Sequence, residues 1–211
     1  GADGVIELRV AAVLTTFPGP LGNFTFTTRR FLNGPPATAA ESGAFRPGPH
    51  ITARAGDTLK VRVVNTLPDG AAAELPRPFG GMGSSDDVNL HLHGLHVDPA
   101  QDNVIETIRG GAAKLYTYDV PRDHLPGTHY YHDHTHRSSS LHLMGGLFGG
   151  LTILPPKGAT LPAAYLAMPK FDVLFSHVMP CKCTCGLPPQ TSEPAVYFGG
   201  ISYHAMMGFA A

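Results

Sequence analysis

Four histidines stand in two tight pairs, His91-Leu92-His93 and His132-Asp133-His134. Successive side chains on a strand point to opposite faces, so residues i and i+2 share one. His91 and His93 therefore project together, and so do His132 and His134. Two neighbouring strands carrying such pairs bring four imidazoles around one small volume. Neutral imidazole is a good ligand for copper, zinc and iron. The chain holds 12 histidines against 16 acids, and nine of the 12 lie between His91 and His142. A single His-x-His arises readily by chance in such a chain. Two pairs, each at a strand end and each beside glycine or turn residues, point to a metal centre rather than to solvated strand termini.

The elements that must hold these pairs read as short strands. Val88–His93 is a strand that ends at Gly94. Pro126-Gly127 is a turn leading into a strand over Thr128–His134. Around them, Gly4–Val13 alternates as a first strand, and Phe24–Phe31 forms another. Ile51–Arg54, the turn Ala55-Gly56-Asp57 and Thr58–Thr66 read as strand, turn, strand. There Leu59, Val61 and Val63 lie on one face and Lys60, Arg62 and Val64 on the other. Lys114–Val120 alternates again, and Gly146–Leu154 is the last strand before Pro155-Pro156. Residues 67–85 are a Pro/Gly-rich excursion. Seven or eight short strands with no long amphipathic helix predict an all-β, antiparallel sandwich with Greek-key connections over residues 1–156. Residues 157–211 read as a linker and the incomplete start of a further unit, a short C-terminal extension too small for a second sandwich.

Composition narrows the function classes. Gly 25 and Pro 20 in 211 residues favour turns and short strands. Lys plus Arg is 15 against 16 for Asp plus Glu, so no charge excess suggests a nucleic acid or an anionic membrane as partner. No apolar run is long enough to span a bilayer. Gly1 begins no signal peptide, which fits either a processed secreted form or a cytosolic chain. Cys181, Cys183 and Cys185 fall in one run. Such close neighbours pair poorly with each other. Long-range or intermolecular disulfides, a thiolate metal site and a free thiol all remain open. Asn23-Phe24-Thr25 is a glycosylation sequon.

The sequence resembles the N-terminal, plastocyanin-like domain of the multicopper oxidases, a laccase-like family. Asn89-Leu90-His91-Leu92-His93-Gly94-Leu95-His96 is similar to the family's first copper motif, and Gly127-Thr128-His129-Tyr130-Tyr131-His132-Asp133-His134 to its second. The strand Ala55–Asn65, Asp119-Val120-Pro121 and Met144-Gly145-Gly146-Leu147 also fit, so the likeness covers roughly residues 48–154. It implies a cupredoxin-like sandwich that binds copper as type 2 and type 3 ions. His91 would bind the type 2 copper and His93 one type 3 copper. His132 and His134 would bind the type 3 pair, one to each ion. Asp102, nine residues after His93, stands where the family often carries an acid that hydrogen-bonds around the cluster and assists proton delivery. His96, His124, His129 and His142 are expected in supporting, packing or surface roles. His136 is no ligand in the family motif, and His50, His177 and His204 have no identified partner. Leu92 replaces the usual Trp.

The resemblance also shows what these residues lack. Asp133 sits where a type 1 copper cysteine would be, Ser138 is no histidine, and no histidine flanks Cys181, Cys183 or Cys185. The expectation is an oxidoreductase supplying half of a trinuclear site. It would couple one-electron oxidation of a phenolic or metal-ion donor to reduction of O2. A second cupredoxin domain or subunit would complete the cluster. The chain is then a fragment, one subunit of an assembly, or a single-domain relative. The alternative is a non-catalytic, secreted copper-binding or structural subunit. A copper nitrite reductase and a mononuclear zinc site fit less well. The chemistry and composition agree with a secreted, extracellular or periplasmic location.

Overall fold

The computed structural model describes residues 4–17, 23–34, 42–69, 86–175 and 205–210. Most of the 67–85 excursion (residues 70–85), the three cysteines, His177 and His204 lie outside the described residues.

Two sheets face each other. The first contains β1 (Val5–Phe17), β2 (Phe24–Leu32), β3 (Ser42–Ala44), β5 (Thr58–Asn65) and β7 (Ala113–Asp119), ordered β2-β1-β5-β7 with β3 beside β1. The second contains β4 (Gly48–Arg54), β6 (His91–His93), β8 (Gly127–His132) and β9 (Phe148–Leu154), ordered β4-β9-β8-β6. The arrangement is the β-sandwich that the strand pattern predicts, of the cupredoxin-like kind that the resemblance implies. One feature differs. β1 runs parallel to β3 and β5, and β4 parallel to β9, while the other pairs of the two sheets are antiparallel. Parallel partners need long crossovers, and here whole strands intervene between them.

Alternation in the sequence becomes alternation in burial. Leu59, Val61 and Val63 of β5 are buried while Lys60 and Arg62 are exposed. Tyr116 and Tyr118 of β7 enter the same core, as do Leu92 of β6, Tyr131 of β8 and Leu151 and Ile153 of β9. Gly56 closes the β4–β5 turn with φ 88°, a left-handed conformation that glycine adopts without steric cost.

The sequence reading contains neither of the two short helices. α1 (Ser139–Gly145) is a short helix after the second histidine pair, ended by Gly146 at φ 108°. Seven residues are too few to show helical periodicity. α2 (Ala163–Ala167) lies within the stretch expected to be linker, and β10 (Lys170–Phe175) pairs with β11 (Ala205–Ala210) in a separate two-stranded ribbon.

Candidate metal centre

Leu92 decides where the histidines go. It is 1 % exposed in the sandwich core, so His91 and His93 must project from the opposite, outer face of the second sheet. Tyr131 does the same for β8, placing Tyr130 and His132 outward. The register sets His91 opposite His132 and His93 opposite Tyr130. Three imidazoles and one phenol therefore occupy the four corners of a cross-strand rectangle, on the edge strand β6 and its neighbour.

The geometry suits an ion. One nitrogen each from His91, His93 and His132 lies within 4.8 Å of the others. The His91 ring is T-shaped on His132 at 5.1 Å between centroids. Tyr130 stacks on His93 at 4.3 Å and on His132 at 5.1 Å, while the two imidazole planes are tilted 41° from each other.

His134 arrives by a different route from the one expected. β8 stops at His132, so the i, i+2 rule does not carry His134 onto the strand face. The chain turns because the Asp133 carboxylate accepts from the Thr135 N–H at 3.0 Å and the Thr135 hydroxyl at 2.7 Å, a local bond that competes with strand pairing. The His134 ring still comes within 5.1 Å of His91 and 5.7 Å of His132. Its Nδ1 is buried without a hydrogen-bond partner among the described residues. A buried, unpaired ring nitrogen costs about 1–3 kcal/mol. Beside three other imidazoles, it is a donor set that fits a metal ion.

Hydrogen bonds fix which nitrogen each ring offers. His91 Nδ1 donates to Asp102 Oδ2 at 2.6 Å, and Asp102 Oδ1 accepts the Leu92 N–H at 3.2 Å. Asp102 thus orients the ring and leaves Nε2 as the lone pair. His132 Nδ1 donates to the Asp133 carbonyl at 2.7 Å, which also leaves Nε2 free to ligate. His93 Nδ1 faces that Nε2 at 3.2 Å. Burial lowers the His132 pKa to about 4, and burial with the neighbouring imidazoles lowers that of His93. Both rings are neutral at pH 7, the form a metal requires.

The other histidines separate cleanly. His124 is buried, with Nδ1 donating to the Leu125 carbonyl at 2.8 Å and Nε2 accepting the His96 N–H at 3.2 Å. Both nitrogens are used, so it pins the turn after β6. His129 lies against Gly94 and the ring of His124. His136 is exposed beside His134, and His50 bonds Thr152 on the surface. His142 is completely buried.

Residues 83–158 match the multicopper oxidase family model. Laccase-1 of Thanatephorus cucumeris is 34 % identical over 115 residues, covering 53 % of this chain and 17 % of the laccase. L-ascorbate oxidase of Cucurbita maxima is 31 % identical over 130 residues, covering 59 % of this chain and 18 % of the oxidase. The chain thus spans about a fifth of the length of the curated relatives it matches. A multicopper oxidase from Campylobacter jejuni, a metallo-oxidase, superposes with a TM-score of 0.51 at 24 % identity. The superposition covers 72 % of this chain and 26 % of that one, a likeness of fold alone.

Proposed function

Because residues 83–158 belong to the multicopper oxidase family, we propose that this chain supplies half of a copper cluster at which an electron-donating substrate is oxidised and O2 reduced. The observation that carries the reading is the outer-face group of His91, His93 and His132, with His134 beside it. Multicopper oxidases bind copper at type 2 and type 3 sites. His91, His93, His132 and His134 would hold the ions on this chain. Bound copper supplies one-electron acceptance from a donor and delivery of those electrons to O2.

The chain's own residues prepare that site. Asp102 fixes the His91 tautomer and stands ready to hold a proton at its carboxylate. The Asp133 carbonyl fixes His132, and Tyr130 packs against the faces of both His93 and His132. The histidines occupy an outer face, with His93 exposed. This favours completion by a second cupredoxin domain or subunit laid across it. The donor is a phenol or a reduced metal ion, and the location is extracellular or periplasmic. Among the described residues no helix is long and apolar enough to cross a membrane. Residues 1–156 form the copper-binding unit in this reading, and 157–211 lead toward further structure.

The test is copper titration of the full chain by metal analysis and electron paramagnetic resonance, then O2 uptake with a phenolic donor when the partner domain is present. Copper retention lost on His91→Ala and His132→Ala is expected. Retention indifferent to all four histidines would overturn the reading. Copper bound at these residues with no O2 uptake in any assembly would favour a non-catalytic copper-binding subunit instead.

A further inference from the structure

Asp133 is placed between two proposed ligands, yet its side chain points the other way, into the protein, and is fully buried. A buried carboxylate is tolerated only when hydrogen bonds and charge satisfy it. Every partner here belongs to an element that positions the site. Oδ1 accepts the Asn89 N–H at 2.8 Å, two residues before His91. Oδ2 accepts from His142 Nδ1 at 2.7 Å, on the helix α1. Thr135 donates through its N–H and hydroxyl, fixing the turn that carries His134. The Asp133 carbonyl accepts from His132 Nδ1 and from the Ser139 hydroxyl at 3.0 Å. Asn89 closes the circuit: its Oδ1 accepts the His134 N–H at 2.6 Å, and its Nδ2 donates to the Val104 carbonyl at 2.9 Å.

The geometry points to Asp133, Asn89 and His142 as positioning residues that set the spacing between the two histidine pairs, with α1 serving to deliver His142 to the Asp133 carboxylate. The inference rests on the copper reading above and deepens it. Apart from this clamp, the strand pairing of β6 with β8 spans only three residues on each strand. Residues that orient ligands in this way typically carry 10–100-fold in metal affinity.

The experiment uses the full chain and a set of substitutions chosen to separate positioning from packing. His142→Asn places an amide N–H where Nδ1 donates. His142→Leu fills the buried space without a donor. If His142 positions the site, copper(II) affinity in a competition titration stays within about threefold for His142→Asn and falls at least tenfold for His142→Leu, on the scale of such orienting residues. The His142→Leu resonance spectrum also changes as imidazole ligands drop out. If His142 only fills the core, the order reverses and His142→Leu binds like the unaltered protein, which overturns the inference. Asp133→Asn is the second variant, because one acceptor oxygen becomes a donor facing donors. In a form shown folded by circular dichroism, unchanged affinity and spectrum for Asp133→Asn would equally overturn it. Failure of the unaltered chain to bind copper would sink the functional reading itself, a result distinguishable from selective indifference of the variants.

Discussion

Replacing Asp102 by Asn tests how the first ligand is prepared. The two side chains have nearly the same shape, so packing is conserved and only the donor–acceptor pattern changes. In the native site Oδ2 accepts from His91 Nδ1 and Oδ1 from the Leu92 N–H. An amide can present its oxygen to only one of these donors. If the oxygen faces Leu92, the amide NH2 faces His91 and the imidazole must shift its proton to Nε2, the atom that faces the cluster. That removes a ligand lone pair. If the oxygen faces His91, the buried Leu92 N–H meets another donor and the strand end is strained. Asp102 and His91 side chains are only 10 % and 23 % exposed, so water relieves the conflict poorly. Loss of such an orienting carboxylate corresponds to about 10–100-fold in copper affinity, roughly 1.4–2.8 kcal/mol. Competition titration against a chelator measures it. Asp102→Ala, which lets water solvate both donors and leaves the tautomer free, should be no worse than Asp102→Asn. An Asn variant that binds copper like the native protein, or much better than the Ala variant, would refute the tautomer argument.

Other consequences are as direct. Metal-free stability should fall as pH drops from about 6.5 toward 4, because the unfolded chain then binds protons that buried His132, and to a smaller extent His93 beside its neighbouring imidazoles, refuse. His132 alone contributes roughly 3 kcal/mol to that loss, and its own share is complete by about pH 4. Urea denaturation at stepped pH follows it, and a flat profile across this window would contradict the burial. Asn65→Ala should destabilise by about 3 kcal/mol. Its Nδ2 donates to the Asp86 and Ile108 carbonyls and its Oδ1 accepts the Leu67 N–H, all in a buried setting. Equilibrium unfolding reads the loss. Gly149→Ala should cost about 1–3 kcal/mol, since a Cβ there would press against the buried Tyr131 ring, 2.6 Å from Cε1. A thermal midpoint equal to that of the native protein would show that the ring can move aside.

The sequence carried the sandwich and the first pair of histidines well, because alternation is a local signal. Leu92 between His91 and His93 already implied two outward imidazoles. The pattern was less informative where long-range contacts decide. Val88–His93 reads as one strand, but only His91–His93 pairs with β8, while Val88 bridges Ile108. His134 reads as the end of a strand that in fact stops two residues earlier, because the Asp133 carboxylate bonds the turn. The Asp133, Asn89 and His142 network was not anticipated. One signal was available: an aspartate alternating with outward histidines must face inward, and an inward carboxylate requires donors. Which donors, and that a short helix would provide one of them, depends on contacts that no periodicity records. Asp102 entered through family likeness alone, and its contact with His91 is a tertiary fact.

His93 and His132 are 39 residues apart in the chain, yet their ring nitrogens stand 3.2 Å from each other. In an unfolded chain an ion could join them only by closing that loop, at an entropic cost of roughly 4 kcal/mol. The sandwich has closed the loop before any ion arrives. The native state should therefore hold the ion several hundred-fold more tightly than the same two imidazoles on an unfolded chain, from chain topology alone. An ion here acts as a removable cross-link. Its loading would stabilise the fold in proportion to its free concentration, and its withdrawal would leave the polypeptide intact but easier to open.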